Sequence, residues 1–164
     1  MVKHSDRYIT DFNDIVEMVA GYEIVRIAVN DGETPYIVPM NFGHEVVNDQ
    51  LVLYLHGANE GKKIDLWKKA GKVAFEMDGQ NGLVLKEAIG NCTIDFTSVM
   101  GVAEVEFVPE EEKYNALKCI MAHYGKPEFK FATGPIPMTS VIKLTVTEMT
   151  AKRRFKPDHV TEMK

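Results

Sequence analysis

The hydrophobic positions of this chain follow two periods. Phe12, Ile15, Val16 and Val19 recur at helical spacing behind Thr10 or Asp11 as a cap, and Gly21 is placed to stop the helix. From Tyr22 to Val29 the chain is rich in β-branched residues, Asn30-Asp31-Gly32 reads as a turn, and Tyr36 to Phe42 returns, the pattern of an antiparallel hairpin. A turn at Asn48-Asp49 leads into a third strand, Gln50 to His56, and Val73 to Met77 is a fourth. A long strand-like run covers Cys92 to Val108, with Gly101 marking a bulge or bend, and Val141 to Thr147 alternates as the last strand.

Between these runs lie two further helical stretches. Ile64, Trp67 and Ala70 share one side of a short helix closed by Gly71, and Pro109 with Glu110, Glu111 and Glu112 opens another through Ala116, Leu117, Ile120 and Met121, fading near Tyr124-Gly125. Asp78 to Asn91, with Gly79, Gly82 and Gly90, reads as a long connection, and Lys126 to Pro137 holds too many prolines and glycines for a regular element. Lys152, Arg153 and Arg154 follow the last strand. The sum is about six strands with three inserted helices, a mainly β chain. Strict strand-helix-strand alternation is rare, which favours an antiparallel barrel over a parallel doubly wound sheet. With no repeats and no linker, one domain spans 1–164, its core about 8–154 and its polar ends 1–7 and 155–164.

Composition narrows the function classes. At 164 residues, 45% hydrophobic and 26% charged, the chain is long enough for a proper core and too apolar for disorder. A net charge of -5 argues against a general nucleic-acid binder, so any phosphate site must be local. Met1 to Arg7 are polar, and no apolar run nears the roughly 18 residues of a membrane span, so the expectation is a cytoplasmic protein without membrane contact. Cys92 and Cys119 match neither a metal knuckle nor a redox pair and are expected to be buried thiols. His4, His44, His123 and His159 sit in unrelated sequence contexts with no ligand spacing, so no metal site is expected.

The densest chemistry lies in Leu53-Tyr54-Leu55-His56-Gly57-Ala58-Asn59-Glu60-Gly61-Lys62-Lys63, an apolar strand entering a glycine-bracketed turn that opens a lysine-rich helix. Glycines let backbone approach a ligand, and a helix N-terminus offers unpaired N–H groups, a positive dipole end and here two ammonium groups. Gly57 and Gly61 are too close for the nucleoside-triphosphate loop, and Lys63 stands where that loop has Ser or Thr. Two readings stay open from this segment: an anion cradle, or an ordinary loop with solvated lysines.

The order of motifs adds to this. Tyr36-Ile37-Val38-Pro39-Met40-Asn41-Phe42-Gly43, then Tyr54-Leu55-His56-Gly57-Ala58 with Gly61-Lys62-Lys63-Ile64-Asp65-Leu66, then Ser98-Val99-Met100-Gly101, then Ala151-Lys152-Arg153-Arg154 resemble the Nim-type flavoproteins linked to 5-nitroimidazole resistance. That family is part of the wider group similar to pyridoxamine 5'-phosphate oxidase, and the resemblance spans about residues 5 to 154. It implies a split β-barrel that binds flavin mononucleotide (FMN), rather than flavin adenine dinucleotide, at the interface of a homodimer. It also implies an oxidoreductase passing electrons from bound flavin to a small, nitroaromatic-like substrate.

Carried onto these positions, the resemblance makes Lys62, Lys63 and Ser98 phosphate partners and brings Arg153 to the flavin of the partner subunit. Val38, Pro39, Met40, Asn41, Gly57, Ala58, Gly61 and Val99 become the cofactor's surroundings, and His56 the active-site residue. Bland alternatives stand beside each: an edge-strand proline at Pro39, a structural hydrogen bonder at His56, a surface serine at Ser98, a solvated tail at Lys152 to Arg154. No basic, arginine-containing stretch of the kind that holds pyridoxal phosphate is found, so vitamin B6 oxidation is not expected. No Gly-x-Gly-x-x-Gly fingerprint names a nicotinamide donor. The alternative function is a non-catalytic flavin-binding module for storage, sensing or electron transfer, or a barrel holding another flavin or a haem in the same groove.

Overall fold

The computed structural model describes residues 5–154; the remaining parts of the expected polar ends, 1–4 and 155–164, with His4 and His159, lie outside the described residues. The chain forms β1 (Tyr8–Ile9), α1 (Phe12–Ala20), β2 (Val25–Asp31), β3 (Thr34–Met40), β4 (Phe42–Val47), β5 (Gln50–Ala58), α2 (Lys62–Ala70), β6 (Lys72–Lys86), β7 (Asn91–Phe107), α3 (Glu110–His123) and β8 (Thr139–Arg154). The Asp11 carboxylate accepts from the Asn13 and Asp14 N–H groups at 2.9 and 3.1 Å, which starts α1 where the sequence placed it.

All strand pairs are antiparallel, in the order β3-β2-β6-β7-β8-β5-β4, with β1 added beside β8. The outermost strands of that order, β3 and β4, are consecutive in the chain with only Asn41 between them. The sheet must therefore curl until its edges meet at Asn41, while no ladder joins β3 to β4 among the described residues. That is a split barrel, mainly antiparallel β with three α-helices. The expected count of about six strands becomes eight: β1 is very short, and β4 takes residues 43–47, to which the hydrophobic pattern assigns no element, together with Phe42.

Inside the barrel, Phe42, Leu53, Leu55, Trp67, Ile142 and Leu144 are fully buried. A second cluster, Leu117, Ile120, Ile136 and Val141 among them, packs α3 against the outside of the sheet. Gly43 makes that docking close, because a Cβ there would lie 2.5 Å from the Ile120 backbone nitrogen. The β4–β5 turn uses Asn48 and Asp49 at φ 51° and 60°, the left-handed geometry that suits a tight hairpin.

Several expectations are corrected. The stretch 78–91 is no loose connection: β6 and β7 stay paired from Lys72↔Glu104 to Lys86↔Asn91, forming a long arm with a register shift between Gln80 and Gly82 that lets glycines sit within a ladder. Gly101 keeps its register, and the β7–β8 irregularity lies one residue on, between Val102 and Ala103. Lys152 to Arg154 do not follow the last strand; they lie within β8, paired to Ser98, Thr97 and Phe96. Cys92 is exposed on the arm rather than buried, and Cys119 is partly buried, its thiol donating to the His44 carbonyl at 3.3 Å.

Candidate functional site

β5 leaves the sheet as His56, Gly57 and Ala58, paired to Val141, Ser140 and Thr139 of β8. The chain then turns through Gly61, at φ 119°, which supplies no side-chain cap to α2. The Ile64 and Asp65 N–H groups bond to the Gly61 carbonyl, which leaves those of Lys62 and Lys63 for another acceptor. Asn59 fixes the turn, donating to the Pro137 carbonyl at 2.9 Å and accepting from the Ser140 hydroxyl at 3.0 Å.

The two lysines part company. Lys63 folds back over Gly57: its Cε and Nζ lie 3.0 and 3.2 Å from where a Cβ would stand. Lys62 turns toward the β2–β3 hairpin, where it pairs with Asp31 and lies over the Tyr36 ring. Lys63 is the ammonium group presented to the turn. His56 stands beside it; partial withdrawal from water lowers the imidazole pKa and the Lys63 charge adds to that shift, favouring the neutral ring.

Next to His56 opens a cavity of about 370 Å³ whose walls come from α3, the 126–138 segment and the start of β8. Sequence reading attaches α3 to no site, but it does expect the loop from Lys126 to Pro137 to shape a substrate pocket, and Phe129, Phe131, Ala132, Pro135 and Ile136 of that loop line this one. The available signal is the loop's run of prolines and glycines, which suits a pocket-shaping segment.

The other expected contacts lie elsewhere. β3 runs as a regular ladder from Thr34↔Asp31 to Met40↔Val25, so Pro39 does not make it irregular. It is an edge strand, and Pro39 costs it no ladder bond on its outer side. The Asn41 side chain is spent on structure, donating to the Glu23 carbonyl and to the Tyr124 hydroxyl. Ser98 pairs with Asp78 and Lys152, Arg153 pairs with Thr97, and Val99 is buried, which leaves it only backbone to offer. On β8, His56 sits opposite Val141 and Ser98 opposite Lys152, about 36 Å apart along extended strand. Along the ladder, these two groups of residues lie at different parts of β8.

The histidines expected to be unrelated meet: His44 and His123 place their Nδ1 atoms 2.9 Å apart. Among the described residues no cluster of His, Cys, Asp and Glu suits a metal, and no helix is long and apolar enough to cross a membrane.

Comparison with known proteins fits this geometry. The sequence pattern of the pyridoxamine 5'-phosphate oxidase family matches residues 11–153. A protein from Bacteroides thetaiotaomicron VPI-5482, named as a candidate 5-nitroimidazole antibiotic resistance protein, is 33% identical with a TM-score of 0.78, over 89% of this chain and 86% of that one. The chain therefore belongs to the pyridoxamine 5'-phosphate oxidase family, in its Nim-type branch. At fold level it is also similar to the flavocytochrome Anf3 from Azotobacter vinelandii (20% identity, TM-score 0.79, 96% of this chain and 73% of that one). A protein from Mycobacterium smegmatis named for binding FAD and haem shares the fold too (16% identity, TM-score 0.77, 92% and 74%). No curated protein matches the sequence.

Proposed function

We propose that this protein is an FMN-dependent oxidoreductase that passes electrons from bound flavin to a small, nitroaromatic-like substrate. The observation that carries the reading is the Gly57–Lys63 cradle: a side-chain-free backbone position, an ammonium group folded across it, and the uncapped N-terminus of α2 in one turn. Those donors fit a phosphate monoester dianion, the group that distinguishes FMN from larger dinucleotides.

Lys63 and the first N–H groups of α2 would hold the phosphate, with Lys62 a weaker contributor because Asp31 already engages it. The outer edge of β3, Val38 to Asn41, would orient the ring through backbone groups. Bound flavin supplies the electron transfer itself. His56, held neutral, offers one ring N–H and one lone pair at the mouth of the cavity, so it can hold or pass a proton there. The apolar walls exclude water from the same space.

The working form is proposed to be a homodimer. Ser98, Val99 and Arg153 lie along the sheet from His56, at the other part of the β8 ladder, and a flavin shared between two copies would bring both groups to one cofactor. The β6–β7 arm offers a contact face, with Leu83 paired to Ile94 and Leu85 to Cys92, and Leu83, Leu85 and Ile94 all exposed.

The test is flavin retention in a Lys63→Ala variant. Release of FMN from a folded barrel supports the cradle, and undiminished affinity sinks it. A flavin-carrying protein inert to both a nicotinamide reductant and a nitroaromatic would instead favour the non-catalytic module.

A further inference from the structure

We infer that the cavity beside His56 is a selectivity pocket for an uncharged aromatic ring, with Phe129 and Phe131 of the α3–β8 connection as its specificity-determining residues. This rests on the proposed oxidoreductase reading and names the substrate class of that site. Among the described residues, the lining includes no Asp, Glu, Lys or Arg, and His56 is its one titratable side chain. Its volume of about 370 Å³ lies at the small end of ligand pockets, which run from roughly 300 to 1,000 Å³.

The walls have two origins. Leu117, Ile120 and Met121 of α3 contribute to one side, and Ile136, buried in the packed cluster with Leu117 and Ile120, lines it as well. The aromatic side is a short ladder: Phe131 stands edge-on to Tyr114 at 6.1 Å between centroids, and Phe129 edge-on to Phe131 at 5.1 Å. Tyr114, on α3, anchors the inner ring of that ladder, while Phe129 remains 50% exposed at the mouth. A large aromatic side chain left half in water at the rim of an apolar cavity gains area only when something apolar fills the space below it. Edge and face contacts from two phenyl rings suit another flat ring.

Charge decides what that ring carries. An anionic substituent would lose its hydration against aliphatic and aromatic walls with no cation to replace it, which is unfavourable. Lys63 is folded over Gly57 and does not line the cavity; its charge reaches the His56 edge, while the aliphatic and aromatic walls beyond offer an anion no direct partner. The pocket therefore discriminates against carboxylated or phosphorylated aromatics and in favour of neutral ones of the same size.

The experiment uses a matched pair, 4-nitrobenzyl alcohol and 4-nitrobenzoate, titrated into the full-length protein by NMR, with and without bound flavin. The alcohol should bind at least about tenfold more tightly, and Phe129→Ala and Phe131→Ala should each weaken it several-fold. Phe131→Leu, which keeps apolar volume and guards against local collapse, should weaken it less. Met121→Lys, placing an ammonium group on the α3 wall, should invert the preference toward the benzoate. Equal affinity for the two probes, or Phe129 and Phe131 variants that bind the alcohol like the parent, would overturn the assignment. Failure of the flavin reading shows separately, as a protein that neither carries nor takes up flavin while the binding preference is still measured.

Discussion

The imidazoles of His44 on β4 and His123 at the end of α3 meet Nδ1 to Nδ1 at 2.9 Å. The Nε2 of His123 lies 2.6 Å from the Tyr22 carbonyl oxygen, so that nitrogen carries a hydrogen and donates it. In neutral His123 the Nδ1 is then an acceptor, and His44 must donate from its own Nδ1. The pair clasps the end of α3 to β4 and to the α1–β2 connection, with the Phe42 ring 4.4 Å from that of His123.

A pH dependence of stability follows. Burial lowers the His44 pKa below its usual 6.5, and the neighbouring His123 adds to that shift. The unfolded chain therefore binds more protons than the folded one in the window just below pH 6.5, and stability falls as pH drops through it. Above about pH 6.5 the contribution is complete. His56 is shifted the same way and adds to the slope. Thermal unfolding from pH 8 to 5 should show the melting temperature declining below about 6.5, with a shallower decline for His44→Gln. Parallel slopes in parent and variant would contradict the clasp.

The adjacent lysines should behave differently on substitution. If Lys63 holds the FMN phosphate as proposed, Lys63→Ala should lose a charge-assisted contact worth about 2 kcal/mol, or roughly thirtyfold in FMN affinity, while Lys62→Ala should cost clearly less. Fluorescence titration with FMN measures both, and equal losses would mean that Lys62 leaves Asp31 to join the site.

Gly43 tests how α3 is seated. A methyl group there would meet the α3 backbone rather than the flexible end of a side chain, so the helix itself must shift. Gly43→Ala should destabilise by about 2–3 kcal/mol, read from the urea midpoint, and should also loosen binding in the cavity that α3 walls. An unchanged midpoint would place α3 less tightly than described.

What the sequence made legible was mostly local. The Asp11 cap, the Gly21 stop and the Asn48-Asp49 turn are each decided by residues within a few positions of one another. The arm was missed because Gly79 and Gly82 look like breakers, whereas Gly79 is small because the Thr97 hydroxyl lies 3.0 Å from its missing Cβ. The last strand was cut short because its polar end reads as a tail, although Ala151 is buried and Lys152 lies over the Tyr8 ring. Lys62 and Lys63 are identical neighbours, and only the fold sends one to Asp31 and the other to Gly57. His44 and His123 are 79 positions apart, beyond what spacing can reveal.

The arm supplies a prediction about assembly. Leu83→Glu with Leu85→Glu puts two charges on an exposed apolar face without touching the barrel core. Light scattering after size exclusion should show a dimer for the parent and a monomer for the variant, which should also lose flavin if the partner completes the site. A monomeric parent holding full flavin would contradict the shared site.

The most direct test is the absorption spectrum of the freshly purified protein, followed by heat release and identification of any chromophore. The account predicts bands near roughly 370 and 450 nm and release of FMN, with both lost in Lys63→Ala. A colourless protein that takes up no added FMN would contradict it.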